Sequence, residues 1–154
     1  MPTPKKIEQH PQQLPTCKDR WASHKASRVS DLRKLWRAYQ EGEDSAYAKR
    51  ISAELGEFHK YGLAFDYVSL GTFNDQREGY WRYQISWGGP SEEFRFYSSG
   101  PTMRPHCIKF WFLDWFDGHG RKLQGKDEEL LLEIWDFFSE VGTTQAEYDK
   151  ARDE

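Results

Sequence analysis

The stretch from Tyr80 to Phe116 constrains this chain more than any other. It opens with Tyr80-Trp81-Arg82-Tyr83-Gln84-Ile85-Ser86-Trp87, turns at Gly88-Gly89-Pro90, and continues through Glu93-Phe94-Arg95-Phe96-Tyr97. It closes with Ile108-Lys109-Phe110-Trp111-Phe112-Leu113-Asp114-Trp115-Phe116. The first segment alternates with period two, which predicts a half-buried strand with Trp81, Tyr83, Ile85 and Trp87 on one face and Arg82, Gln84 and Ser86 on the other. Gly-Gly-Pro is turn material, so the second segment is expected to fold back as the other arm of a hairpin. The third segment is apolar on both faces, and this predicts a place in the middle of an antiparallel sheet.

At 154 residues the chain fits one domain with room for a core. Aromatics make up 16% of it and supply much of that core, since each side chain can bury about 150–250 Å². The net charge of -3 hides a division. Residues 1–37 carry nine Lys or Arg against three Asp or Glu (net +6), and residues 38–154 carry thirteen against twenty-two (net -9). An acidic body repels phosphate, so the folded part is expected not to bind nucleic acid directly and to suit a basic protein surface. The two cysteines, Cys17 and Cys107, form no framework of spacings, which fits a reduced, cytoplasmic setting. The N-terminus is polar and Pro-rich without the apolar core of a signal peptide, and the run Ile108 to Phe116 is far short of a membrane span.

The expected organisation is a basic, Pro-containing arm over residues 1–28 followed by a single α+β domain over residues 29–154. Ser30 reads as the N-cap of a helix over 31–40, carried by Leu32, Leu35, Trp36 and Tyr39 and ended by Gly42. A second helix is predicted from about Ser45 to Tyr61, with Gly62 as a left-handed C-cap, the two packing as a helical hairpin. Leu63 to Val68 is the first strand, and the polar stretch Gly71 to Gly79 is a candidate functional loop. Asp117-Gly118-His119-Gly120 reads as a turn before a short strand over Arg121 to Gln124, giving a twisted sheet of four or five strands. A helix starting near Asp127 and stopping at Gly142 packs on the sheet through Leu130, Leu131, Ile134, Phe137, Phe138 and Val141, and Gln145 to Arg152 forms a short helix or a tail.

The wording of Tyr61 to Val68, Gly71-Thr72-Phe73, Glu78 to Gln84, Ser86 to Ser91, Glu93 to Phe96 and Trp115-Phe116-Asp117 resembles an uncharacterised family of small acidic, aromatic-rich proteins carried on bacterial plasmids and other mobile elements. The likeness runs from Tyr61 to roughly Lys150. It implies a genomic setting in which small acidic proteins act as inhibitors of host restriction or CRISPR systems, and it transfers no catalytic residues.

Among the constellations, Glu129, Glu133, Asp136 and Glu140 recur at i, i+4, i+7 and i+11 and so form one acidic row on the last helix. Neighbouring carboxylates on such a row are about 4.5–6 Å apart along the axis, comparable with phosphates along a nucleic-acid strand, so the row is a candidate for a basic groove. Asp75, Glu78, Glu92 and Glu93 are candidates to extend it, and Trp111 and Trp115 to add an aromatic contact. The expected role is a non-enzymatic inhibitor of a nucleic-acid-directed defence complex, of anti-CRISPR or antirestriction type, working by protein contact or nucleic-acid mimicry.

Two alternatives come from other classes. A metal-dependent nuclease or hydrolase would centre on Asp114, Asp117 and His119, with Asp66, Glu78 and His106 as further candidates. A homodimeric scaffold would use the aromatic face. Cys17 and Cys107 have no partners at zinc-site spacing, and neither a phosphate loop nor a serine nucleophile elbow is present, so no metal or cofactor is expected. Arg82 and Arg95 fall on hairpin-partner strands, where cross-strand pairing explains them; as a pair they could also hold a phosphate, against which the acidic body argues.

Overall fold

A computed structural model describes residues 15–153. The elements in order are α1 (Cys17–Glu41), α2 (Ala46–Leu55), α3 (Phe58–Tyr61), β1 (Ala64–Val68), β2 (Tyr80–Ser86), β3 (Ser91–Tyr97), β4 (Cys107–Asp114), β5 (Asp117–Lys122), α4 (Gly125–Glu140) and α5 (Thr143–Arg152). The five strands form one antiparallel sheet in the order β1-β2-β3-β4-β5, and the helices cover one of its faces, so the fold is α+β as expected.

The core lies between that face and the helices. Alternation places Trp81, Tyr83, Phe94, Phe96, Ile108, Phe110 and Phe112 beneath the helices, all of them buried. Against them α1 sets Trp21, Val29, Leu32 and Leu35, and α4 sets Leu131, Ile134 and Trp135. Trp135, absent from the expected apolar face of α4, packs edge-on against Trp81 at 5.1 Å between ring centroids, while Val141, expected on that face, is exposed. Trp21 Nε1 donates to the Phe110 carbonyl at 2.7 Å and Trp81 Nε1 to the Thr144 carbonyl at 3.0 Å, so both indoles bury their apolar bodies without stranding a donor.

The largest correction concerns the leader. Residues 17–28, expected as part of the arm, belong to α1, and residues 1–14 of that arm lie outside the described residues. The N-cap is Thr16 rather than Ser30, and Thr16 with Asp19 forms a capping box: Thr16 Oγ1 accepts from the Asp19 N–H while Asp19 accepts from the Thr16 N–H. What holds this half of the helix down is ionic as much as apolar. Arg20 pairs with Asp114 at 2.7 Å, Lys25 with Asp127 at 2.7 Å and Arg28 with Glu92 at 2.7 Å, and beyond this half Arg33 also reaches Asp127 at 3.2 Å. The basic leader and acidic body are thus partly the two sides of one intramolecular interface.

Smaller differences have local causes. The expected second helix breaks at Gly56, which adopts φ 82°, and resumes as the short α3. Gly62 is extended at φ -81° rather than left-handed, and its lack of a side chain serves close approach: a Cβ there would lie 2.2 Å from the Tyr83 ring. The Asp117 to Gly120 segment is strand, and the chain reverses at Trp115-Phe116, where Trp115 takes φ 56°. In β2 the register shifts between Gln84 and Ser86. That bulge sends Ser86 to the helical face, where its hydroxyl meets Glu92, and leaves Trp87 72% exposed instead of in line with Trp81, Tyr83 and Ile85.

Candidate interaction surfaces

The ten candidate residues separate into distinct places. Glu129, Glu133, Asp136 and Glu140 form a row along α4, about 16 Å long at a rise of 1.5 Å per residue. Leu131, Ile134 and Trp135 on the opposite side of the same helix are buried, which fixes the row's support. Two of the four carboxylates are engaged. Trp36 Nε1 donates to Glu133 at 2.9 Å, and Arg104 donates twice to Asp136, the closer contact at 2.9 Å. Glu129 and Glu140 are exposed.

Asp75, Glu78, Glu93 and Trp111 meet elsewhere, in a cleft of about 970 Å³ on the uncovered face of the sheet. They do not extend the α4 row, because the sheet and the helix lie between. Glu92 is on neither surface: it is buried beneath α1, where Arg28, His24 and Ser86 converge on it. Burial pushes its carboxyl up, but the Arg28 hydrogen bond and charge, with Ser86 and His24, outweigh this and hold it below the ordinary carboxylate range. Trp115 stands at the β4–β5 tip, 92% exposed beside Phe116.

The cleft is built from the outward positions of β2, β3 and β4 and from the loop after β1. Arg95 is its centre: Nε donates to Glu93 at 2.7 Å, and the guanidinium lies 4.7 Å from the Tyr80 ring centroid and 4.2 Å from that of Trp111. Glu93 is only 2% exposed, so this is a nearly buried pair in an aromatic frame. Trp111 leans over β5, where a Cβ on Gly120 would lie 2.0 Å from its ring; only glycine lets the indole lie flat there. Arg82 forks onto Asp66 with contacts of 3.0 and 2.7 Å, which raises its pKa. Tyr80 is 2% exposed and its hydroxyl has no partner among the described residues; burial pushes it up to about 12, with Arg95 pulling the other way. Phe73 on the β1–β2 loop and Trp87 after β2 line the rim.

The residues of the hydrolase alternative are used to hold the start of α1. Asp114 pairs with Arg20, Asp117 accepts the Cys17 N–H at 2.9 Å, and His119 packs edge-on against Trp21 at 6.2 Å. The Asp117 carboxyl is lowered chiefly by that backbone hydrogen bond, while burial and Asp117 raise the Cys17 thiol. Among the described residues no group of three or more His, Cys, Asp or Glu side chains is placed to share a metal ion. Among those residues, too, no helix is long and apolar enough to cross a membrane.

The uncovered aromatic face was legible as a possibility in the strand Ile108 to Phe116, but the partners of Trp111 were not. Its neighbours Arg95 and Gly120 come from the two flanking strands and depend on the register of both hairpins. Compared with family models, curated proteins and solved structures, the chain matches none at a significant level.

Proposed function

We propose that this protein is a non-enzymatic inhibitor of the mobile-element type, which binds a basic, nucleic-acid-handling protein of a bacterial host's defence machinery in the cytoplasm. It acts by contact, with the α4 row standing in for a run of phosphates. The observation that carries this reading is the row itself: four carboxylates on one side of a helix whose other side is locked into the core. Such preorganisation lowers the entropic cost of presenting charge to a partner. The hydrogen bond from Trp36 to Glu133 holds one member in place. Arg104 covers Asp136 in the free protein and competes with a cationic partner for it.

The experiment is capture from bacterial lysate and inhibition of the captured complex, comparing the wild type with the double variant E133K/D136K. Loss of both capture and inhibition at unchanged melting temperature is the expected result. Undiminished inhibition by the double variant would remove the row from the mechanism.

A further inference from the structure

The register of the sheet assembles a feature that no single strand contains. Arg82 is directly opposite Arg95, Arg95 opposite Lys109, and Lys109 opposite Lys122, all on the uncovered face. Four adjacent strands therefore carry a cationic row across the sheet, about 14 Å long at a strand spacing of about 4.8 Å. Like charges directly opposite one another in a ladder are destabilising, so this row costs the fold stability. Asp66 offsets Arg82 and Glu93 offsets Arg95, but Lys109 and Lys122 have no carboxylate within salt-bridge distance among the described residues. The free charge thus lies at the β4–β5 end, and it calls for an anion.

The surroundings narrow the class of anion. Beside the row lie Tyr97, 5.4 Å from the Lys109 ammonium to its ring centroid, and the guanidinium plane of Arg95 backed by Tyr80 and Trp111. Phe73 and Trp87 present exposed rings at the rim of the same cleft. Aromatic rings and guanidinium planes are stacking platforms for nucleobases. A volume of about 970 Å³ accommodates a small molecule. A long polyanion is disfavoured, because Asp75 and Glu78 line the cleft from the loop above it and would repel successive phosphates.

We propose that the uncovered face of the sheet binds a nucleoside phosphate, its phosphate on Lys109 and Lys122 and its base against the aromatic and guanidinium surfaces of the cleft. This site is separate from the α4 row and does not depend on the reading given above for that row. Titration of the full chain with adenosine and guanosine monophosphates, the matching nucleosides, inorganic phosphate and a short single-stranded oligonucleotide, followed by calorimetry and tryptophan fluorescence, tests it.

Saturable binding of a nucleoside phosphate is expected, with the nucleoside and phosphate alone each weaker by about tenfold or more. K109E should weaken binding by about tenfold or more at unchanged circular dichroism, and E133K/D136K should leave it unaltered. Should K109E fold poorly, K122E on the edge strand gives the same reading. The proposal is overturned by the absence of mononucleotide binding at millimolar concentration, by binding that both lysine variants leave intact, or by binding of the oligonucleotide alone.

Discussion

The two faces of the sheet are made from the same strands and much the same residue types, yet they behave as opposites. Beneath the helices, rings meet rings: Phe94 and Phe110 at 5.0 Å, Phe96 and Trp135 at 5.4 Å, with ions only at the margin where α1 crosses. On the other face rings meet guanidinium groups, and Tyr80 and Trp111 frame Arg95 instead of another hydrophobe. Apolar packing is non-directional and closes a core, whereas a cation over a ring keeps its hydrogen-bonding edge available. The covered face is therefore closed by apolar packing, while the uncovered one keeps charged groups among its rings. The same contrast separates the two sides of α4, one locked by Trp135 and the other presenting carboxylates.

Five substitutions would break or sharpen that contrast. The largest effect is expected from W135A, which empties the junction of α4, β2 and β3 and should cost about 3–5 kcal/mol in denaturant unfolding. By comparison W87A, on the uncovered rim, should stay within about 0.5 kcal/mol of wild type. An equal cost for the two would mean that the rim is part of the core.

E92Q comes next. It removes the carboxylate that Arg28 and His24 share under α1, and a loss of about 1–3 kcal/mol at neutral pH is expected. The folded carboxyl is held below its ordinary range, so its contribution is full above that range and disappears as pH falls through the lowered value. Melting curves of wild type and E92Q should accordingly converge on acidification. A gap that stays constant down to strongly acidic pH would show that the loss is one of packing.

G120A puts a methyl group into the Trp111 ring and should cost about 1–3 kcal/mol, although the site is on the uncovered face. A shift in tryptophan fluorescence should accompany it. R104A should change stability by no more than about 1 kcal/mol, since the Arg104–Asp136 pair is exposed. Its effect on binding should have the opposite sign: freeing Asp136 strengthens capture of a basic partner, and weaker capture would show that Arg104 itself belongs to the interface.

The hairpin register explains which parts were legible. Period-two alternation in Tyr80 to Ile85 and the Gly-Gly-Pro turn marked β2 and β3 without any tertiary knowledge, and α4 and its acidic row followed from spacing alone. Trp87 was misplaced because a bulge shifts the face after Gln84, and nothing in the local pattern encodes one extra residue in a ladder. The first half of α1 was missed although Thr16-x-x-Asp19 is a capping signal, because its helical face carries Arg20, Lys25 and Arg28, whose partners lie more than sixty residues away.

By itself the sequence determined the first four strands, the acidic helix and the aromatic wealth of the core, because hydrophobic periodicity acts over a few residues. Tertiary structure alone decided which charges are spent within the molecule and which face outward. Arg28 and Glu92 cancel under a helix, while Lys109 and Lys122 are brought side by side on an open face. Charge has no period of its own, and its consequence depends on what the fold places within a few ångströms of it.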